Sequence, residues 1–145
     1  VTENRLTGFY RACDALELEI PEEYVREGVY HDPDRCAELT RELLQLPEPP
    51  TCILMPDDFS SIGGGNAIRR MGLRFPEDVS AAGYDGIQLA SVTNPAMTTY
   101  RQDTAALGKT AAAKLIELIE KPRTALVDRI LIPGKLVEGC SVRAI

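Results

Sequence analysis

The chain has 145 residues, 44% hydrophobic and 26% charged, and carries a net charge of −6. That length makes about one domain, able to bury roughly two thirds of its unfolded surface, and the balance excludes a disordered tail, a collagen-like fibre and a coiled coil. No apolar run approaches the ~20 residues of a membrane span, and an acidic chain repels phosphate backbones, which makes it a poor candidate for gripping nucleic acid itself.

Leu6, Phe9, Cys13 and Leu16 recur at helical spacing and predict a helix over 5–18, which Thr2 or Asn4 could cap. Pro21 closes it. Tyr24 to Tyr30, aromatic and β-branched, is expected to be extended. Asp32-Pro33-Asp34 is a turn and a helix start, its acids suiting the positive end of the dipole. The helix reaches about Leu46 on a stripe of Cys36, Leu39, Leu43 and Leu44, and Pro47, Pro49 and Pro50 end it.

Thr51 to Met55 is a short apolar strand of the kind buried on both faces of a parallel sheet. A helix over 60–71 places Ile62, Ala67, Ile68 and Met71 inward and stops at Gly72. Val79 to Tyr84 is a second buried strand, 85–96 a loop, and Met97 to Arg101 a third strand. Thr104 to about Glu120 is the strongest helix, with Leu107, Ala111, Leu115, Leu118 and Ile119 on one side. Val127 to Pro133 and Leu136 to Val142 are strand-like. This alternation predicts an α/β fold: a doubly wound, mainly parallel sheet with helices on both faces. Ligands of such sheets bind beyond the carboxyl ends of the strands, which singles out Tyr30, Asp57, Asp58, Phe59 and Asp85.

Cys13, Cys36, Cys52 and Cys140 form no C-x-x-C pair, and His31 is the lone histidine. No zinc site is indicated, and buried thiols in a reducing cytosol are expected. Asp57, Asp58 and Asp85 could hold Mg²⁺ or accept a phosphoryl group if their strands are adjacent, but no Ser/Thr and Lys stand where phosphoryl chemistry needs them. The alternative is that each caps a helix or turns the chain. Gly63-Gly64-Gly65 lies inside a helical pattern and no Gly-Lys-Ser/Thr follows, so close helix packing is expected in place of a phosphate loop. His31 and Arg69-Arg70 read as solvated, and no catalytic triad or acid–base pair is visible. No cofactor is implied. Val1 to Arg5 show neither the basic nor the apolar stretch of a leader, and without an initiator Met the chain is expected to be a piece of something longer.

Six motifs recur in a recognisable order: Arg5-Leu6-Thr7-Gly8-Phe9; Pro50 to Leu54 leading to Asp57-Asp58; Ile62-Gly63; Gly72 to Asp85; Asn94 to Gln102; and Leu107-Gly108. Together they resemble the effector-binding domain of the lactose/galactose-repressor (LacI/GalR) family of bacterial transcription regulators. The resemblance covers nearly the whole chain and is most specific from Pro76 to Gln102. It implies a periplasmic binding protein-like fold of type I, with two α/β lobes closing on a small molecule, often a sugar or nucleoside. Binding in the interlobe cleft would control operator binding allosterically in a cytoplasmic homodimer. DNA would be contacted only through an absent N-terminal helix-turn-helix.

On this resemblance, residues 1–101 and the final strand belong to the C-terminal lobe, and the helix near 104–120 packs on the absent N-terminal lobe or another chain. Arg5 resembles the arginine that reaches into the cleft, its fork suiting paired hydroxyls or a carboxylate. Tyr30 resembles an aromatic that stacks on the ligand ring. Asp57 falls at a position often filled by Asn or Asp, Phe59 lines the cleft, and Asp85 resembles the carboxylate accepting hydrogen bonds from hydroxyls or ring N–H groups. The alternatives are a secreted solute-binding protein of a sugar transport system and a metal-dependent or receiver-like enzyme.

Overall fold

A computed structural model describes residues 2–122 and 129–144. The chain forms α1 (Thr2–Ala15), a 3-10 turn (Glu22–Tyr24), α2 (Pro33–Leu44), β1 (Cys52–Leu54), α3 (Asp58–Arg70), β2 (Ser80–Asp85), a second 3-10 turn (Gln88–Ser91), β3 (Thr98–Arg101), α4 (Thr104–Glu120) and β4 (Lys135–Val137). The strands make one sheet in the order β1-β2-β3-β4. The first three are parallel, with Ile53 opposite Ala81 and Asp85 opposite Arg101. β4 returns antiparallel beside β3, with Leu136 opposite Tyr100.

Capping chemistry sets the helix starts. The Asp32 carboxylate accepts from the Arg35 amide at 2.9 Å ahead of Pro33, whose missing N–H costs nothing in the first turn. Asp57 and Asp103 cap α3 and α4 in the same way, through the amides of Ser60 and Ala106.

Alternation then divides the sheet. Ile53 and Ala81 face α2 and α3 and build the core with Leu43, Met55, Ile68, Val79, Ala90 and Met97. Complete burial of Ile68 is worth about 2–3 kcal/mol. The helices approach closely because a β-carbon at Gly63 would strike the carbonyl of Pro33, and one at Gly64 the side chain of Met55. The three glycines thus serve packing, as expected.

The opposite face carries Leu54, 56% exposed, with Ala82, Tyr84 and Tyr100. α1 reaches it through Arg5 over the Tyr84 ring, and the Gly134 amide donates to the Tyr100 hydroxyl. α4 buries none of its residues, and Leu6 of α1 and Leu16 just after it are exposed while Cys13 is buried.

Four expectations need correction. Tyr24 to Tyr30 forms no strand: Glu22–Tyr24 is a 3-10 turn, and the segment after it pairs with no strand among the described residues. Of Val127 to Pro133, residues 127 and 128 lie outside the described residues, and 129–133 are irregular. The strand expected over Leu136 to Val142 shortens to Lys135–Val137, because buried Ser141 is used to bridge: its hydroxyl accepts from the Thr98 amide and donates to the Ala81 carbonyl. Finally, the four free thiols are not all buried. Cys52 and Cys140 are exposed, Cys52 because β1 is an edge strand. Burial pushes the Cys36 thiol up to about 11, which leaves it unreactive at neutral pH.

Gly63→Ala is expected to cost about 1–3 kcal/mol by overpacking against Pro33. Gly8→Ala, in the middle of α1 with nothing within 4 Å, should stabilise by about 0.5–1 kcal/mol. Urea unfolding of the two variants checks both signs. Asp57→Ala should cost about 1–2 kcal/mol at neutral pH through loss of the cap. Because hydrogen bonds hold the folded Asp57 carboxyl below the usual carboxylate range, its contribution is full above about pH 4 and fades as the pH falls through the folded value. The gap between wild type and Asp57→Ala should therefore narrow in acid.

Candidate functional site

The carboxyl ends of β1 and β2 and the first turn of α1 meet at one edge of the sheet. Arg5 crosses to that edge, and its Nη1 donates to the Pro56 carbonyl at 2.6 Å. Nη2 donates to Asp85 Oδ1 at 3.3 Å. The guanidinium carbon lies 3.8 Å from the centre of the Tyr84 ring and 5.3 Å from that of Tyr30, within cation–π range of both. Tyr84 is itself stacked on Tyr100 at 5.3 Å.

Asp85 ends β2 with φ of 109°, a strained conformation that aims its carboxylate at the edge, and Gly86 follows at 73°. The Gln102 amide nitrogen donates to Asp85 Oδ1 at 2.7 Å, and His31 Nε2 stands 3.9 Å from Oδ2. His31 takes φ of 56°, so its ring rises edge-on between Tyr30 and Phe59, at 6.0 and 5.5 Å. The Tyr30 hydroxyl is buried and has no hydrogen-bond partner among the described residues.

Beneath this group lie two buried carboxylates. Asp57 accepts from the Ser60 amide at 2.9 Å, the Ser60 hydroxyl at 2.8 Å and the His31 amide at 3.1 Å. Burial alone would raise its carboxyl, but these bonds outweigh burial and hold it low. Asp58 accepts from the Ile87 amide at 2.8 Å and the Thr99 hydroxyl at 2.6 Å.

Arg5, Tyr30, Phe59 and Asp85 thus converge. Asp57 lies under them, fully enclosed and saturated by local donors. The three aspartates do not form a cation cradle: two are consumed by N–H and O–H groups and the third is neutralised by Arg5. Among the described residues no group of three His, Cys, Asp or Glu is placed to hold a metal.

His31, Tyr84 and Gln102 were not singled out as site residues. Gln102 directly follows β3, so the strand-end rule that selected Asp85 could have found it. Tyr84 gave no such signal, because only the face of β2 that it occupies matters. Nor could the left-handed turn of His31 be read from its residue type.

Residues 1–142 match the family described as the periplasmic binding protein-like domain. The HTH-type transcriptional repressor PurR of Escherichia coli is 33% identical over 138 residues, 95% of this chain and 40% of that protein. The crystal structure of a LacI transcriptional regulator from Bacillus cereus subsp. cytotoxis superposes with a TM-score of 0.93 at 26% identity, covering 99% of this chain and 50% of that one. The complex of the transcriptional regulator CelR with cellobiose gives a TM-score of 0.87 at 29% identity, covering 95% and 42%. The chain spans about 40% of the length of the curated relatives it matches. No helix among the described residues is long and apolar enough to cross a membrane. The chain belongs to the periplasmic binding protein-like domain family, and its relatives there are transcription regulators of the LacI and PurR type.

Proposed function

We propose that this chain is the ligand-sensing part of a LacI-type transcription regulator, binding a neutral polyhydroxylated molecule, a sugar or nucleoside, at the edge marked by Arg5 and Asp85. The observation that carries this reading is the Arg5–Asp85 pair standing among the rings of Tyr30, His31, Phe59 and Tyr84. Each of the two charges neutralises the other, and Asp57 is already saturated, so the edge offers no surplus charge for an ionised ligand. It offers N–H donors and carboxylate acceptors side by side, which suits hydroxyls that both give and take hydrogen bonds. The rings supply apolar walls, as small-molecule sites generally do. CelR, one of the relatives by fold, is recorded with a disaccharide.

The rest of the regulator lies outside this chain. Residues up to Arg101, with β4, make one lobe, and α4 packs on a second lobe. The complete absence of buried residues from α4 supports that, since an Ala- and Leu-rich helix left in water gains little from its apolar stripe. Ligand closure of the two lobes alters operator affinity through a DNA-binding part elsewhere in a cytoplasmic homodimer, with no catalytic step. The relatives are repressors, which supports this over a secreted transport protein.

A thermal-shift screen of sugars and nucleosides on the full-length protein should yield at least one stabilising compound. Arg5→Ala and Asp85→Ala should each weaken its binding about 10- to 100-fold, the cost of losing a hydrogen bond to a charged group. Unchanged affinity in both variants would place the site elsewhere.

A further inference from the structure

The residues of β3 alternate between the two faces of the sheet. Tyr100 stacks on Tyr84, on the face that Arg5 crosses. Thr99 turns the other way, its hydroxyl donating to Asp58 at the head of α3. Arg101 shares the side of Thr99. By register it has two neighbours there, Asp85 on β2 and Lys135 on β4. Directly opposed side chains start about 4.5–5.5 Å apart at their β-carbons. Asp85 stands where a partner for Arg101 belongs, but its φ of 109° turns the carboxylate to Arg5 and Gln102 instead. That leaves Arg101 beside Lys135, a like charge directly opposite, which destabilises a sheet.

The nearby acids do not take the place of Asp85. Asp58 is occupied by the Ile87 amide and the Thr99 hydroxyl. Asp103, two residues beyond Arg101, is occupied by the Ala106 amide that it caps. Among the described residues neither the Arg101 nor the Lys135 side chain makes a hydrogen bond or ion pair. Arg101 Nε is one of two buried side-chain polar atoms there without a partner, the other being the Tyr30 hydroxyl. Such an orphan costs free energy and calls for an explanation. The arginine is also held in place: a β-carbon at Gly86 would strike its Cβ and Cγ. Glycine at φ of 73° lets the turn after β2 close over the arginine stem. The result, in a chain of net charge −6, is a fixed, half-buried guanidinium beside an exposed ammonium, with no anion between them.

We propose that Arg101 and Lys135 form a binding site for a phosphate group, on the opposite face of the sheet from Arg5. Two adjacent cations match the roughly double charge of a phosphate better than the single charge of a carboxylate. The guanidinium offers phosphate oxygens a planar fork of N–H donors, and the ammonium adds a mobile point charge. Because the arginine stem is already fixed, binding loses less side-chain freedom. The site lies at the carboxyl end of β3, where open α/β sheets take ligands. Two sources share this chemistry, free inorganic phosphate and the phosphate of a small monoester. The inference stands whatever the cleft at Arg5 binds, because Asp85 neutralises that arginine on its own side of the sheet.

Thermal unfolding of the full-length protein in potassium phosphate, against potassium chloride of equal ionic strength, tests it. Millimolar phosphate should raise the Tm beyond the chloride control. Phosphate also stabilises proteins by exclusion from their surfaces, so the variants decide. Lys135→Gln, at an exposed position, and Arg101→Lys, which keeps the charge without the fork, should each need about tenfold more phosphate for the same rise. If Arg101→Lys does not fold, Lys135→Gln alone carries the test. Glycerol phosphate separates the sources: equal potency assigns the site to free phosphate, and potency at least tenfold higher assigns it to a monoester. No rise beyond chloride, or the same phosphate dependence in Lys135→Gln as in wild type, overturns the proposal.

Discussion

Two adjacent buried carboxylates at the head of α3 hold the carboxyl edge of this sheet together. Asp57 caps the helix and grips the His31 amide, and Asp58 grips the Ile87 amide and the Thr99 hydroxyl. The turn at His31, the loop after β2 and strand β3 are thereby tied to one helix terminus, where the dipole favours negative charge. A buried charge is tolerable only when its lone pairs are filled, and here donors surround both. The cleft groups Tyr30, His31 and Asp85 are positioned as a consequence.

This divides labour among the acids. Asp57 and Asp58 spend their charge on the fold and have little left to offer a ligand. Asp85, held in a left-handed turn at the rim, keeps a partly exposed carboxylate balanced by Arg5 and steadied by Gln102. On the reading proposed above, a ligand entering there would exchange with contacts that are weak because they are partly solvated, whereas displacing those of Asp57 would leave a buried charge uncompensated.

Much of this was legible in the residues, because the signals were local. Short apolar runs at Ile53 and Ala81 marked parallel strands, but burial of Thr51 to Met55 on both faces, the expectation there, is corrected by the structure: Leu54 is 56% exposed. Asp-Pro and Pro-Asp turns marked helix starts, and the strand-end rule led to Tyr30, Phe59 and Asp85. Features that depend on distant chain were not legible. Val25 to Val29 reads as a strand by composition, but strand structure needs a paired neighbour, and none lies beside it among the described residues. The antiparallel return of β4 depends on Gly134 and Gly139 passing close to the Tyr100 ring and the Ala96 carbonyl, which spacing alone does not reveal. Cys52 looks buried by its neighbours and is exposed because its strand is at an edge. The enclosed role of Asp57 depends on Ser60 and on the turn at His31.

The central claim is that the acids beneath the cleft maintain the fold while the acid at its rim serves the ligand. Comparing Asp58→Asn with Asp85→Asn in urea unfolding of the ligand-free protein tests it most directly. Asp58→Asn should lose about 2–3 kcal/mol, the scale of buried hydrogen bonds to a charge. Asp85→Asn should lose less than about 1 kcal/mol, as partly exposed ion pairs do. Equal losses, or a larger one at Asp85, would contradict the account.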